Sequence, residues 1–304
     1  MADLRTPFVR FLFLSSLVVF FLVATNAPTS PPSYEPAVAI QNEDYAQARK
    51  GFQTKLLRKG PTPQKAPKVQ PPTGVSEILY ASGDLRLKAW LYRPASEGNQ
   101  QLPAILFLHG GFAFEKDDWD VAKPYRDAGY VVMAPIVRAE NGQPGAFSLF
   151  YDEVDDVLAA AEHLSKQPGV DANRMFVAGP SAGGTLALLA AESSNRFRAA
   201  ASFSGSPDQA LLCKFAKQKK DIPFDYTDAR ELQMRSPLAY AASFKCPVRI
   251  YYGSEEPHFR LTSQRMAALA KEKGLDAESL EIKGGHSSSV PAAMKHSIEF
   301  FAKW

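Results

Sequence analysis

From Ala104 onward, short, mostly apolar runs alternate with longer runs whose apolar residues recur at helical spacing, and no other feature restricts the fold as much. The apolar runs are Ala104 to Leu108, Tyr130 to Ala134, Met175 to Ala178, Ala199 to Phe203, Val248 to Tyr252 and Ser279 to Ile282. Runs this short are strand-sized, and their largely apolar composition predicts buried strands. Between them the spacing predicts helices at Asp118 to Ala128, Tyr151 to Leu164, Thr185 to Glu192, Leu261 to Lys273 and Pro291 to Lys303. The second of these carries its apolar stripe on Val154, Val157, Leu158, Ala161 and Leu164, and loads its first turns with acids that suit the helix dipole. Upstream, Val75 to Tyr80 and Leu85 to Tyr92 flank Ala81-Ser82-Gly83-Asp84 and predict an antiparallel hairpin. The expected class is α/β, a mostly parallel sheet with helices on both faces, and such sheets collect ligands at the carboxyl ends of their strands.

The alternating part occupies residues 73–304, and what precedes it differs in kind. Arg5 and Arg10 lead into an uncharged apolar run from Phe11 to Ala24, which has the length of a signal-peptide core and is short for a membrane span. Residues 1–27 are therefore expected to be a signal peptide or a membrane anchor, and the chain to be exported: secreted, periplasmic or anchored facing outward. Residues 28–72 form a proline-rich linker, within which Asn42 to Leu57 spaces Tyr45, Ala48, Phe52 and Leu56 as an amphipathic helix able to dock on the main body. Hydrophobic residues at 45% provide for a real core, and a net charge of +3 is too weak and too dispersed for nucleic acid to be the partner. The local cluster Lys214, Lys217, Lys219 and Lys220 reads as a solvated face. Cys213 and Cys246 can pair in an oxidising compartment or stay as two small buried side chains, a choice set by a Cα separation that sequence does not supply.

One strand-to-helix junction is chemically distinctive. Gly179-Pro180-Ser181-Ala182-Gly183 joins the apolar run ending at Ala178 to the helical run beginning at Thr185. In that context a G-x-S-x-G pattern is a nucleophile elbow, because a sharp turn lifts the serine clear of the sheet, where a base and oxyanion donors can reach it. Ala182 offers one backbone N–H to an oxyanion. His109-Gly110-Gly111-Phe112 follows another strand, so the second donor is the N–H of Gly111 or of Phe112. Among five histidines, His286 stands in a polar loop between the last strand and the last helix, Gly284-Gly285 before it and three serines after it, which suits a base that must exchange protons. His258 is the rival, beside Glu255 and Glu256. The strand ending at Tyr252 delivers those two carboxylates, Glu255 and Glu256, either of which can orient the histidine. The chain order is serine, acid, histidine.

Taken together, His109-Gly-Gly, Arg138-Ala-Glu-Asn-Gly142, Gly179-Pro-Ser-Ala-Gly183, Arg235-Ser-Pro-Leu238, Pro247 to Gly253 and Gly284-Gly-His286 resemble the α/β-hydrolase superfamily, and within it the catalytic domain of prolyl-oligopeptidase-like and dienelactone-hydrolase-like proteins. The resemblance covers most of Val75 to Trp304. It implies an α/β-hydrolase fold with Ser181 as nucleophile, Glu256 as acid and His286 as base, and a serine hydrolase, carboxylesterase or serine-type peptidase, that uses no cofactor. Two positions depart from the family pattern: Glu256 stands where an Asp is usual, and Pro180 where a residue with a backbone N–H is usual. Ser30 to Pro72 is too short to hold the β-propeller that peptidases of this family usually carry. Ser206 to Ala242 is the expected lid insertion, and its Leu211, Leu212, Phe215 and Phe224 point to a small apolar ester or a short peptide as substrate. A noncatalytic ligand-binding relative is the alternative. No cluster of histidine, cysteine and acid residues has metal-ligand spacing.

Overall fold

The computed structural model describes residues 37–65, 68–95, 100–216 and 219–304. The expected leader falls in residues 1–27, outside the described residues. Strands β1 (Val75–Ser82), β2 (Leu85–Tyr92), β3 (Leu102–Phe107), β4 (Val131–Pro135), β5 (Val170–Pro180), β6 (Ala199–Phe203), β7 (Val248–Gly253) and β8 (Ala277–Ile282) form one 8-stranded sheet in the order β1-β2-β4-β3-β5-β6-β7-β8. The first hairpin is antiparallel, β2 meets β4 antiparallel, and all later neighbours run parallel. This is the expected α/β-hydrolase sheet.

Alternate residues of the central strands feed two cores. Ala104, Leu106, Met175 and Val177 face one side of the sheet, and Ile105, Phe107, Phe176 and Ala178 face the other. Period-two alternation between two dry faces is why these strands read as unbroken apolar runs. Helices α4 (Asp152–Ser165) and α5 (Ser181–Ser193) bury their apolar residues in the first core, and α9 (Val290–Phe301) buries its own in the second, where Phe301 stacks on Phe176 at 4.6 Å.

Three elements differ from the sequence expectation for identifiable reasons. The helix expected over Asp118 to Ala128 is two short helices, α2 (Lys116–Val121) and α3 (Lys123–Asp127), divided at Ala122 because Pro124 has no N–H to continue the ladder. Helix α5 begins at Ser181 rather than Thr185, since Gly183 and Gly184 lie inside it. A Cβ on Gly183 would stand 2.1 Å from the Leu108 carbonyl oxygen, so the glycine is there for close backbone approach and does not break the helix. In the proline-rich segment, α1 (Tyr45–Gly51) is capped by the Asp44 carboxylate and is shorter than the run Asn42 to Leu57.

The segment around α1 packs on the body. Tyr45 is fully buried and its hydroxyl donates to the Met234 carbonyl at 2.7 Å. Beyond α1, Leu56 bridges to Phe224, Phe147 donates its N–H to Gly60, and the Thr62 N–H donates to Ala139. Residues 52–65 thus form a strap across the carboxyl edge of the sheet.

The expected lid region lies between β6 and β7 and holds α6 (Gln209–Phe215), α7 (Ala229–Gln233) and two short 3-10 segments. Its anchor is Arg235, wholly buried, which donates to the Glu231 carboxylate at 2.5 Å, the Thr54 hydroxyl at 2.7 Å and the Ser148 carbonyl at 2.9 Å. Phe224 lies under that guanidinium at 3.8 Å, so its ring is committed to packing instead of lining an open pocket. Helix α8 (Pro257–Glu272) completes the fold. Cys213 and Cys246 are free thiols, and burial pushes both up to about 12.

Candidate functional site

Ser181 follows the last residue of β5 and opens α5 with φ at +51°, in the left-handed region that a non-glycine residue adopts only at a cost of ~1–3 kcal/mol. The surrounding small residues hold it there. A Cβ on Gly179 would lie 2.3 Å from the same Leu108 carbonyl oxygen that excludes one at Gly183, so β5 and α5 clasp the end of β3 through bare backbone. Pro180 sits at φ −87° with extended geometry, and this fits its ring. The glycine loop is adjacent: a Cβ on Gly110 would come within 3.8 Å of Ser181 Cβ.

Two strands further along the sheet, β7 ends at Gly253 and the chain turns into α8, whose N-cap is Glu256. Glu256 is buried, whereas Glu255 is exposed. His286, on the loop after β8, meets the Glu256 carboxylate through Nδ1 at 2.6 Å. The other carboxylate oxygen accepts from the Ser204 hydroxyl at 2.5 Å and from the Gly253 N–H at 2.8 Å. Burial works against the charge on Glu256, but the hydrogen bonds from His286, Ser204 and Gly253 outweigh it and hold the carboxyl below its usual value. A carboxylate kept ionised against Nδ1 fixes the imidazole with Nε2 as the nitrogen that can take up a proton. The His286 side chain is 22% exposed, open enough to exchange protons. His258 lies in the exposed first turn of α8.

His109 belongs to another constellation. Its Nε2 meets the buried Glu140 carboxylate at 2.8 Å and its Nδ1 the Gly110 carbonyl at 2.9 Å. Burial alone would drive off its proton, yet the Glu140 carboxylate overrides this and brings the imidazole up to about 9, so His109 is cationic at neutral pH. Asn141 accepts the Phe114 N–H at 2.8 Å and donates to the Phe114 carbonyl at 2.7 Å. The Arg138-to-Gly142 motif is therefore a clamp on the 109–114 loop, itself anchored where Arg138 forks onto Asp156 at 2.7 and 2.9 Å.

Of the three expected oxyanion residues, Gly111, Phe112 and Ala182 all line one cavity, together with Phe147, Phe150 and Leu186. The Phe112 N–H donates to the side-chain oxygen of Gln64 on the strap, at 2.9 Å. Sequence reading missed Gln64, Ser204 and the His109–Glu140 pair. Only the carboxylate beside Asn141, inside the Arg138-to-Gly142 motif, gave any hint of the last. Among the described residues no group of three or more histidine, cysteine and acid side chains could hold a metal ion.

Comparison with known proteins agrees with this architecture. The chain is 28% identical over 217 residues to the uncharacterised peptidase YuxL of Bacillus subtilis, a match covering 65% of this chain and 33% of YuxL. To the peptidase YtmA of the same organism it is 26% identical over 217 residues, 64% of this chain and 80% of that one. Among solved structures, a puromycin-hydrolysing peptidase of Mycobacterium tuberculosis superimposes with TM-score 0.66 at 22% identity, over 77% of this chain and 40% of that chain. A putative dienelactone hydrolase of Klebsiella pneumoniae does so with TM-score 0.57 at 18% identity, over 76% and 98%. The chain thus spans about a third of YuxL and most of the two shorter proteins. A family model matches residues 119–304, which run from α2 to the last residue and include Ser181, Glu256 and His286; the chain belongs to the prolyl oligopeptidase family.

Proposed function

We propose that the protein is a serine hydrolase that forms an acyl-enzyme on Ser181, with Glu256 and His286 completing the triad. The observation that carries this reading is the buried, ionised Glu256 bonded to His286 Nδ1 at 2.6 Å, at the same edge of the sheet as a serine held at positive φ. In the forward step His286 Nε2 takes the Ser181 proton as Oγ attacks a carbonyl carbon, and negative charge moves to the carbonyl oxygen. Backbone donors at Ala182 and on the glycine loop stabilise it. His286 then passes the proton to the leaving oxygen or nitrogen, and water, deprotonated by the same imidazole, releases the acid. Glu256 keeps its charge throughout.

Carboxyl esters are the first substrate class and short peptides the second. An ester oxygen asks less of the general acid than an amide nitrogen does, while the peptidase relatives favour the peptide. Aromatic walls at Phe112, Phe147 and Phe150 beside Ala182 suit an apolar group on the carbonyl. Phe224 of the insertion between β6 and β7 is spent under Arg235, and the cavity beside Ala182 is lined by none of that insertion's residues.

The test is reaction with a fluorophosphonate probe, followed by turnover of nitrophenyl esters and aminoacyl nitroanilides. Ser181→Ala should lose labelling entirely and turnover by at least ~10⁴-fold, in the range seen when a triad member is removed. Retained turnover in that variant would sink the assignment, and the ratio of ester to anilide rates decides between esterase and peptidase.

A further inference from the structure

The glycine loop offers two neighbouring N–H groups, those of Gly111 and Phe112, and a tetrahedral oxyanion beside Ser181 needs one of them as the partner of Ala182. Glycine makes the choice ambiguous by itself. Gly111 stands at φ +71°, and with no Cβ the peptide planes on either side of it can rotate to present either donor. The tertiary structure removes the ambiguity from outside the loop. Gln64 Oε1 accepts the Phe112 N–H at 2.9 Å, from a strap residue 48 positions earlier in the chain. Among the described residues the Gly111 N–H has no protein acceptor, and the Ala182 N–H lies in the first turn of α5, where the helix supplies none.

We infer that Gln64 is a positioning residue: by committing the Phe112 N–H it sets the peptide plane that leaves the Gly111 N–H, with that of Ala182, for the oxyanion. The inference rests on the serine-hydrolase reading and deepens it. Three features of the surroundings support it. The amide lies directly against the glycine, since a Cβ on Gly111 would stand 2.8 Å from Gln64 Oε1. The strap delivers Gln64 accurately, because Gly60 and Thr62 are bonded to Phe147 and Ala139 just upstream. The loop is also held from its far side, by Glu140 on His109 and Asn141 on Phe114, while the Phe112 ring packs edge-on against Phe147 at 5.1 Å. With both flanks fixed, the Gly111–Phe112 peptide is the part that still needs an anchor.

An inhibitory plug is the competing role for an amide oxygen here. A plug sitting where the oxyanion forms would accept from both arms of the hole. Gln64 accepts from Phe112 and not from Ala182, which is the pattern of a brace.

The experiment compares wild type with Gln64→Met, which keeps the length of the side chain without its acceptor, and with Gln64→Leu as a second variant. Thermal melts of all three confirm that the fold is retained. Fluorophosphonate labelling of wild-type Ser181 comes first. Its failure would refute the serine-hydrolase reading, and this inference with it, before any variant is compared. With labelling established, both variants should lose about tenfold in kcat on the best nitrophenyl ester, less than the ~10²–10³ lost when an oxyanion donor is deleted outright. KM should stay within about twofold, and affinity for an aryl trifluoromethyl ketone, whose adduct carries the oxyanion, should fall in step with kcat. Unchanged kcat in both variants would overturn the inference while leaving the hydrolase reading standing. A rise in kcat would overturn it in favour of the plug.

Discussion

At the scale of single residues, the environment of Glu256 is governed by its neighbours. Burial alone would raise a carboxyl toward neutrality, and three hydrogen bonds reverse that. Ser204 supplies one of them from a backbone at φ +50°, a second strained residue whose position is explained by where its hydroxyl must point. A hydrogen bond to a charged group contributes ~1.5–3 kcal/mol, and a tenfold rate change corresponds to ~1.4 kcal/mol. Ser204→Ala should therefore lower kcat/KM about tenfold on the ester substrate. With one bond fewer the carboxyl becomes more basic, so the acid limb of the pH profile of kcat/KM should also move upward. A profile that falls in height without shifting would mean that Ser204 only supports the loop.

At the scale of elements, α5 shows a conflict between position and chemistry. It is buried along nearly its whole length, and its last turn carries Glu192, fully buried and with neither carboxylate oxygen hydrogen-bonded among the described residues. Burial pushes this carboxyl well above its usual value; nearby Lys245 opposes the shift and Asp44 adds to it. Because the folded value is raised, whatever Glu192 contributes is fully present below its unfolded value and lost as pH rises past it. At neutral pH the helix thus holds a buried, unpaired carboxyl at a cost. Replacing it with an apolar side chain of similar length removes that penalty. Glu192→Met should raise stability by about 1–3 kcal/mol at pH 7 and by less at pH 4.5, read from denaturant unfolding at both values. An equal gain at the two pH values would show that packing, and not ionisation, is responsible.

At the scale of the whole molecule, the buried His109–Glu140 pair joins the loop after β3 to the loop after β4, tying two strand ends of the catalytic edge together. His109 is raised from 6.5 to about 9 in the folded protein. Its contribution is fully present below 6.5 and disappears as pH climbs through about 9, so the protein should lose thermal stability across that window. Glu140→Gln, which breaks the pair, should be less stable than wild type at pH 6.5 and show little further decline up to pH 9. Calorimetric melts across that range check both statements, and a variant that declines in parallel with wild type would place the alkaline loss elsewhere.

Much of this architecture was legible in the linear pattern. Strands β2 and β6 occupy the spans expected of them, and the other predicted strands lie within or nearly within the observed ones, because buried strands gather their apolar residues into short runs. That Ser181, Glu256 and His286 each follow a strand was legible too, and a parallel sheet brings those strand ends to one edge. The family resemblance pointed to Glu256, and the structure buries it while exposing Glu255. The remaining features depend on contacts that no local pattern encodes. Gly183 reads as a helix breaker until Leu108 is found against it, and the insertion's aromatic reads as a pocket wall until Arg235 is found on top. Gln64 is one polar residue in a proline-rich stretch, and only the path of the strap brings it to Phe112. Periodicity and strand-end position were enough to determine the sheet and the residues along its edge. Which N–H, which hydroxyl and which carboxylate meet there was decided by the packing of distant loops, because a hydrogen bond forms at about 3 Å whatever the separation of its partners in the chain.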